Sequence, residues 1–242
     1  MPKNAIITAV LGRGQAPQSI NIKGFNGFTL AEVLITLVIV GVIASMTIPT
    51  LMNNTNKQEY VSKLNKAYST LSQATNKIIA DNGLPRADIG GWATSSQAVY
   101  DMYIKYLSKA KECGGNNAEQ CFGSSYLRLN NGTEVSFDTY DTNSKRFVLA
   151  DGTSVMIDRT VSDNCSFAHM AATNPEACAM ILVDVNGVKK PNQMGRDTFM
   201  FILRENDLYP AGCGGTFADT CEKTSRGWSC ACKVLTDGKM DY

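Results

Sequence analysis

Eight cysteines, Cys113, Cys121, Cys165, Cys178, Cys213, Cys221, Cys230 and Cys232, are the residues of this chain best suited to bond-forming chemistry, and all fall in its last 130 residues. An even set confined to one region reads as disulfides formed in an oxidising compartment. Zinc is the rival use, and it asks for about four converging ligands, usually as two close pairs. Cys230-Ala231-Cys232 offers one such pair, and the sole histidine, His169, sits among apolar neighbours. The other chemically marked residue is Glu32, which follows a Gly27-Phe28 junction at the edge of an apolar run. A carboxylate facing hydrocarbon is costly unless something pairs with it. Catalytic signals are absent: there is no glycine-rich phosphate loop and no Gly-x-Ser-x-Gly elbow, and one histidine cannot form a paired-histidine metal site. The Ser and Asp residues read as loop formers.

These residues must be held by two kinds of element. Residues 33–56 contain no Lys, Arg, Asp or Glu, and 24 helical residues extend about 36 Å, enough to cross a hydrocarbon layer. Lys3, Arg13 and Lys23 precede the run with no acidic residue among positions 1–27, which keeps the N-terminus cytoplasmic and sends the rest across. The remainder of the 242 residues, in a chain 44% hydrophobic, suits one domain with its own core. A net charge of +1 with interspersed signs leaves no basic stripe, so no nucleic-acid partner is expected. Two simpler readings of the N-terminus stand beside a specialised one. They are a secretory signal peptide cut after Ala44 and an ordinary single-pass anchor.

Gly27-Phe28-Thr29-Leu30-Ala31-Glu32-Val33-Leu34-Ile35 resembles the processing site of type IV prepilins and of type II secretion pseudopilins, a likeness that covers residues 23–52. The resemblance implies a prepilin peptidase that cuts between Gly27 and Phe28 and methylates the new amine. It also implies pairing of Glu32 with the Phe28 amine of a neighbouring subunit, a helix kink at Pro49, and an inner-membrane assembly platform driven by a motor ATPase. It divides the chain into a cytoplasmic leader (1–27), a transmembrane and filament-core helix (28–52) and a periplasmic domain (53–242). The expected fold is α+β and type IV pilin-like, a long bent helix on a small antiparallel sheet with disulfide-braced loops. Snorkelling of Glu32, or its action on the helix dipole, is the plainer alternative.

Beyond the run, Val61, Leu64, Tyr68, Leu71, Ala74 and Ile78 repeat at three-and-four spacing, so one helix is predicted over 29–81. It ends at Asn82-Gly83-Leu84-Pro85. A second helix is predicted over 95–111, burying Val99, Met102, Tyr103, Tyr106 and Leu107. Residues 129–138 and 149–158 echo each other around Asn131-Gly132 and Asp151-Gly152, which predicts hairpin turns. Residues 179–185 and 198–203 supply further strands. A second echo, Cys113-Gly-Gly to Cys121 and Cys213-Gly-Gly to Cys221, predicts local bridges, as does Cys165 with Cys178. Cys230 and Cys232 are left, and either can take Cys213 or Cys221 instead. The segment from Asp184 through Asn186 to Asp197 resembles loops of the major pseudopilins. It offers three oxygen donors to a structural calcium, or it is a turn held by Asx hydrogen bonds; no other cofactor is expected. The function expected is a filament subunit, most simply a secretion pseudopilin, with a pilus or DNA-uptake subunit also open. A membrane-tethered or exported disulfide-rich binding domain is the alternative.

Overall fold

A computed structural model describes residues 27–113, 118–137, 143–159, 163–165, 177–215 and 220–242, without the side chains of 49, 50, 53, 54 and 110. Residues 1–26, all but the last of the expected leader 1–27, and His169 lie outside the described residues. The chain divides into two compact units after Met52. Helix α1 spans Leu30–Asn82 in 53 residues and its helical assignment runs through position 49. It closes where Gly83, at a φ of 80°, adopts the left-handed conformation that needs no Cβ.

In the first unit, Leu30–Ile48 is long and apolar enough to cross a membrane, with a mean hydropathy of 2.3 and no buried residue among the described ones. In the second unit the same helix packs through Tyr60, Val61, Leu64, Ala67, Leu71, Ala74 and Ile78, all buried. Tyr68 lies at the margin of that stripe and stacks on Phe201 with ring centroids 5.5 Å apart. Helix α2, Ser96–Tyr106, is capped by the Ser95 hydroxyl, which accepts the Ala98 N–H at 3.1 Å. It stops five residues short of the predicted end, because 109–113 extends instead as an edge strand. Lys109, Lys111 and Glu112 give that strand a charged edge, which discourages edge-to-edge pairing.

The main sheet is antiparallel with the order β1 (Lys109–Cys113), β4 (Lys145–Leu149), β5 (Ser154–Asp158), β6 (Ala179–Asp184), β7 (Thr198–Leu203), β8 (Leu208–Pro210). Strands β5, β6 and β7 are buried at every position. Their alternating residues divide into two cores. Val155, Ile157, Ile181, Val183, Phe199 and Phe201 join α1 and α2 on one side. Met156, Met180, Leu182, Met200 and Ile202 join Phe122, Leu127, Phe137 and Trp228 on the other. The second core is covered by α3 (Glu119–Phe122) and the hairpin of β2 (Tyr126–Arg128) and β3 (Glu134–Ser136).

The sequence echo is a repeated turn. In each hairpin a leucine N–H donates to the threonine four residues on (Leu129 to Thr133 at 2.7 Å, Leu149 to Thr153 at 2.9 Å). The Asx side chain accepts the threonine N–H at 3.1 Å in both, from Asn131 and from Asp151. Gly132 and Gly152 both stand at a φ of 88°. Four disulfides close the domain: Cys113–Cys121, Cys165–Cys178, Cys213–Cys232 and Cys221–Cys230. The first two are the expected local bridges. The expected Cys213–Cys221 bridge is replaced by two nested ones. Cys230 and Cys232 begin α4 (Cys230–Asp237), where side chains two residues apart point about 200° apart around the axis, so each meets a different partner.

Candidate functional site

Gly27, Phe28 and Thr29 precede the first turn of α1 in non-helical conformation, and all three are exposed. A Cβ on Gly27 would meet nothing within 4 Å, and Phe28 keeps 86% of its surface. The Gly27–Phe28 peptide is thus exposed and lies outside the helix.

Thr29 and Glu32 fix where the helix starts. The Glu32 N–H donates to Thr29 Oγ1 at 3.2 Å, and Glu32 Oε2 accepts from the Thr29 N–H and its hydroxyl, each at 2.8 Å. This is a capping box, with threonine at the N-cap and glutamate three residues on. It satisfies two backbone donors that the end of a helix would otherwise leave bare to lipid. Thr29 was not singled out from the sequence, although Thr-x-x-Glu before an apolar run is a readable signal. Glu32 Oε1 takes no hydrogen bond among the described residues. Because the junction lies one residue before Thr29, a cut after Gly27 leaves the box whole.

Along Leu30–Ile48 the remaining hydroxyls bond within the helix: Thr36 to the Val33 carbonyl (2.9 Å), Ser45 to Val42 (2.7 Å) and Thr47 to Ile43 (3.0 Å). Leu30 (79%), Leu37 (64%) and Met46 (72%) are exposed, so apart from the Glu32 carboxylate this stretch presents an apolar surface whose hydroxyls are satisfied within the helix.

The second candidate is the β6–β7 loop, where Asp184, Asn186 and Asp197 do come together. Asp184 Oδ1 accepts the N–H groups of Asn186 (3.0 Å) and Gly187 (2.9 Å), and its Oδ2 accepts the Thr198 hydroxyl at 3.1 Å. Asp197 accepts the N–H groups of Gln193 (2.6 Å) and Asn192 (2.9 Å) and the Asn186 amide at 3.0 Å. Both carboxyls are fully buried. Burial, and then the charge of Asp197, hold the Asp184 carboxyl well above the usual range. Burial pushes Asp197 up to about 6 against the pull of its N–H donors. The Asn186 amide also reaches Tyr60 on α1 (3.2 Å), and the Asn192 amide reaches the Phe122 carbonyl of α3 (2.5 Å). The loop therefore ties both covers of the sheet together. As a calcium site the fit is poor, since the carboxylate oxygens already face N–H or O–H donors. Among the described residues, no three His, Cys, Asp or Glu side chains gather around a common point.

Comparison with known families finds two matches. Residues 22–48 match the prokaryotic N-terminal methylation motif, and residues 50–211 match a family of unknown function, DUF6613. No curated protein and no solved structure matches. The motif falls on the junction, the capping box and the apolar helix described above, and the second match falls on the two-core domain. The chain belongs to the family DUF6613 and is a type IV pilin-like protein with the N-terminal methylation motif.

Proposed function

We propose that this protein is a structural subunit of a pilin-type filament, most simply a type II secretion pseudopilin, and acts by assembly rather than catalysis. The observation that carries this reading is a helix whose apolar half has no buried residue among the described ones and follows an exposed Gly-Phe peptide. Prepilin peptidase removes residues 1–27 and methylates the amine of Phe28. Until assembly, Leu30–Ile48 holds the protein in the inner membrane, with the N-terminus cytoplasmic and residues 53–242 periplasmic. The assembly platform then moves that helix from lipid into a packed bundle of other subunits, where Pro49, lacking an N–H, allows a local bend. Glu32 keeps Thr29 on Oε2 and offers Oε1 to the methylated Phe28 amine of the adjoining subunit, so neither charge is buried alone.

We read the β6–β7 loop as locked by hydrogen bonds, with no calcium required. The disulfide-rich binding domain is the weaker reading, since it gives the capping box and the Gly-Phe junction no role. Mass spectrometry of the mature N-terminus tests the proposal. The expected first residue is N-methylated Phe28; a mature chain starting at Ser45, or one retaining residues 1–27, overturns it.

A further inference from the structure

The four bridges are not equally covered. The cysteines of Cys113–Cys121, Cys165–Cys178 and Cys221–Cys230 are all buried, none with more than 7% of its surface exposed, whereas Cys213 and Cys232 are both half-buried. Exchange begins when an outside thiolate approaches a bridge sulfur, so access decides which bridge reacts. The outer bridge is the one such a thiolate reaches first.

The two ends of that bridge are also held together without it. The Ala211 N–H donates to the Met200 carbonyl of β7 at 3.1 Å, and the Ala211 carbonyl accepts the Cys232 N–H at 3.0 Å. Beside them Gly212, at a φ of 97°, lies so close to Ser229 that a Cβ there would overlap the Ser229 backbone. The residues flanking Cys213 and Cys232 are thus pinned to one another and to the sheet, and the inner Cys221–Cys230 bridge closes the loop between them. Breaking the outer bond leaves its two thiols side by side, where re-forming it is an intramolecular step with a high effective concentration. The two sulfurs differ as leaving groups. Thr236, one turn further along α4, places its hydroxyl 3.8 Å from Cys232 Sγ, where it can donate to a thiolate and favour it. Cys232 is then the better leaving thiolate, and Cys213 the sulfur attacked.

We propose that Cys213–Cys232 is a thiol-exchange site, opened and closed by an external dithiol while the other three bridges stay shut. One thiolate of the dithiol attacks Cys213 Sγ, the Cys213–Cys232 bond breaks, and Cys232 leaves as a thiolate that takes up a proton. The second thiol of the dithiol gives up its proton and attacks the sulfur of its own molecule in the mixed disulfide, and Cys213 leaves and is protonated. The pair gains two electrons and two protons, and the dithiol becomes a disulfide. The reverse sequence restores the bridge.

The test uses the full chain in neutral detergent without oxygen, with dithiothreitol as the dithiol and glutathione as a monothiol that stops at the first step. Samples taken over time are quenched with acidic N-ethylmaleimide and mapped by mass spectrometry. Cys213 and Cys232 should be labelled about tenfold sooner than the other six cysteines. Exchanging the reductant for oxidised dithiothreitol should then return the same pairing and the starting melting temperature. Glutathione should be found on Cys213, and Thr236→Ala, an exposed change, should slow its attachment there. Simultaneous labelling of all eight cysteines, earlier opening of another bridge, or re-oxidation to a different pairing overturns the proposal. Glutathione on Cys232, or an unchanged rate in Thr236→Ala, overturns the assignment of Cys213 as the sulfur attacked.

Discussion

Glu32 caps the helix in the structure and is proposed to pair with a neighbour's amine, and substitution can separate the two roles. Gln at this position still accepts the Thr29 N–H but brings no charge to a neighbour's amine. Glu32→Gln should therefore insert and be cleaved normally, yet enter filaments at least tenfold less well in competition with wild type. Thr29→Ala keeps the charge and loses the hydroxyl of the box, so it should assemble far better than Glu32→Gln. Quantifying both variants in sheared filaments by mass spectrometry decides it; equal defects would assign Glu32 to capping alone. The buried pair Asp184 and Asp197 separates in the same way. An amide at 184 still accepts two N–H bonds, donates to Thr198 and removes the like charge. At 197 it points N–H groups at N–H donors, which costs about 1–3 kcal/mol. The pH dependence follows from the raised carboxyls. As pH rises from near 4, the unfolded chain releases protons that the fold retains, so the pair's contribution to stability falls through about pH 6, where Asp197 ionises in the fold, and keeps falling while Asp184 holds its proton. Melts from pH 4 to 7 should show this fall in wild type, a weaker one in Asp184→Asn, and a lowered midpoint at pH 7 only in Asp197→Asn.

At the scale of elements, the first turn of α4 decides the disulfide pattern. Loss of the outer bridge in Cys213→Ser/Cys232→Ser should cost about 2–3 kcal/mol and lower the melting temperature by roughly 4–12 °C. That variant should titrate with no free thiol; two thiols would return the pairing to Cys213–Cys221. The nesting was hard to read because it depends on Cys230 and Cys232 lying on a helix, and the short segment 230–237 has too few turns to announce one by periodicity. Helix α1 was legible to within a residue at each end, since its apolar stripe runs for several turns and closes at Asn82-Gly83. The hairpin turns were legible because Asn-Gly and Asp-Gly demand one backbone geometry. The second core was not. Strands such as 179–184 are apolar on both faces, so alternation cannot tell which side a helix covers or whether the other is covered too. Of the candidate site, Gly27, Phe28 and Glu32 could be read as a motif. The tie from Asn186 to Tyr60 and from Asn192 to Phe122 required the fold to bring two distant elements to the loop that Asp184 and Asp197 organise.

At the scale of the molecule, the two units answer to different solvents. Residues 30–48 are apolar with no buried residue among the described ones, which suits lipid or neighbouring subunits, whereas residues 53–242 bury apolar residues on both faces of a six-stranded sheet and carry four disulfides. If the second unit draws its stability from that core and those bridges, it should fold without the first. A fragment of residues 53–242, exported to an oxidising compartment, should be soluble without detergent and monomeric by light scattering, with one cooperative melt. The lock of the β6–β7 loop makes the experiment sharper, because the same sample tests whether hydrogen bonds suffice there. With N–H and O–H donors already facing Asp184 and Asp197, excess chelator should leave the melting temperature within about 1 °C, while reductant should lower it by far more. A large fall on chelation, restored by calcium, would mean that the loop's oxygens turn toward a cation. A fragment that aggregates without detergent would mean that the apolar half of α1 contributes to the domain's own stability, and that the helix cannot be released to a filament without loosening the fold.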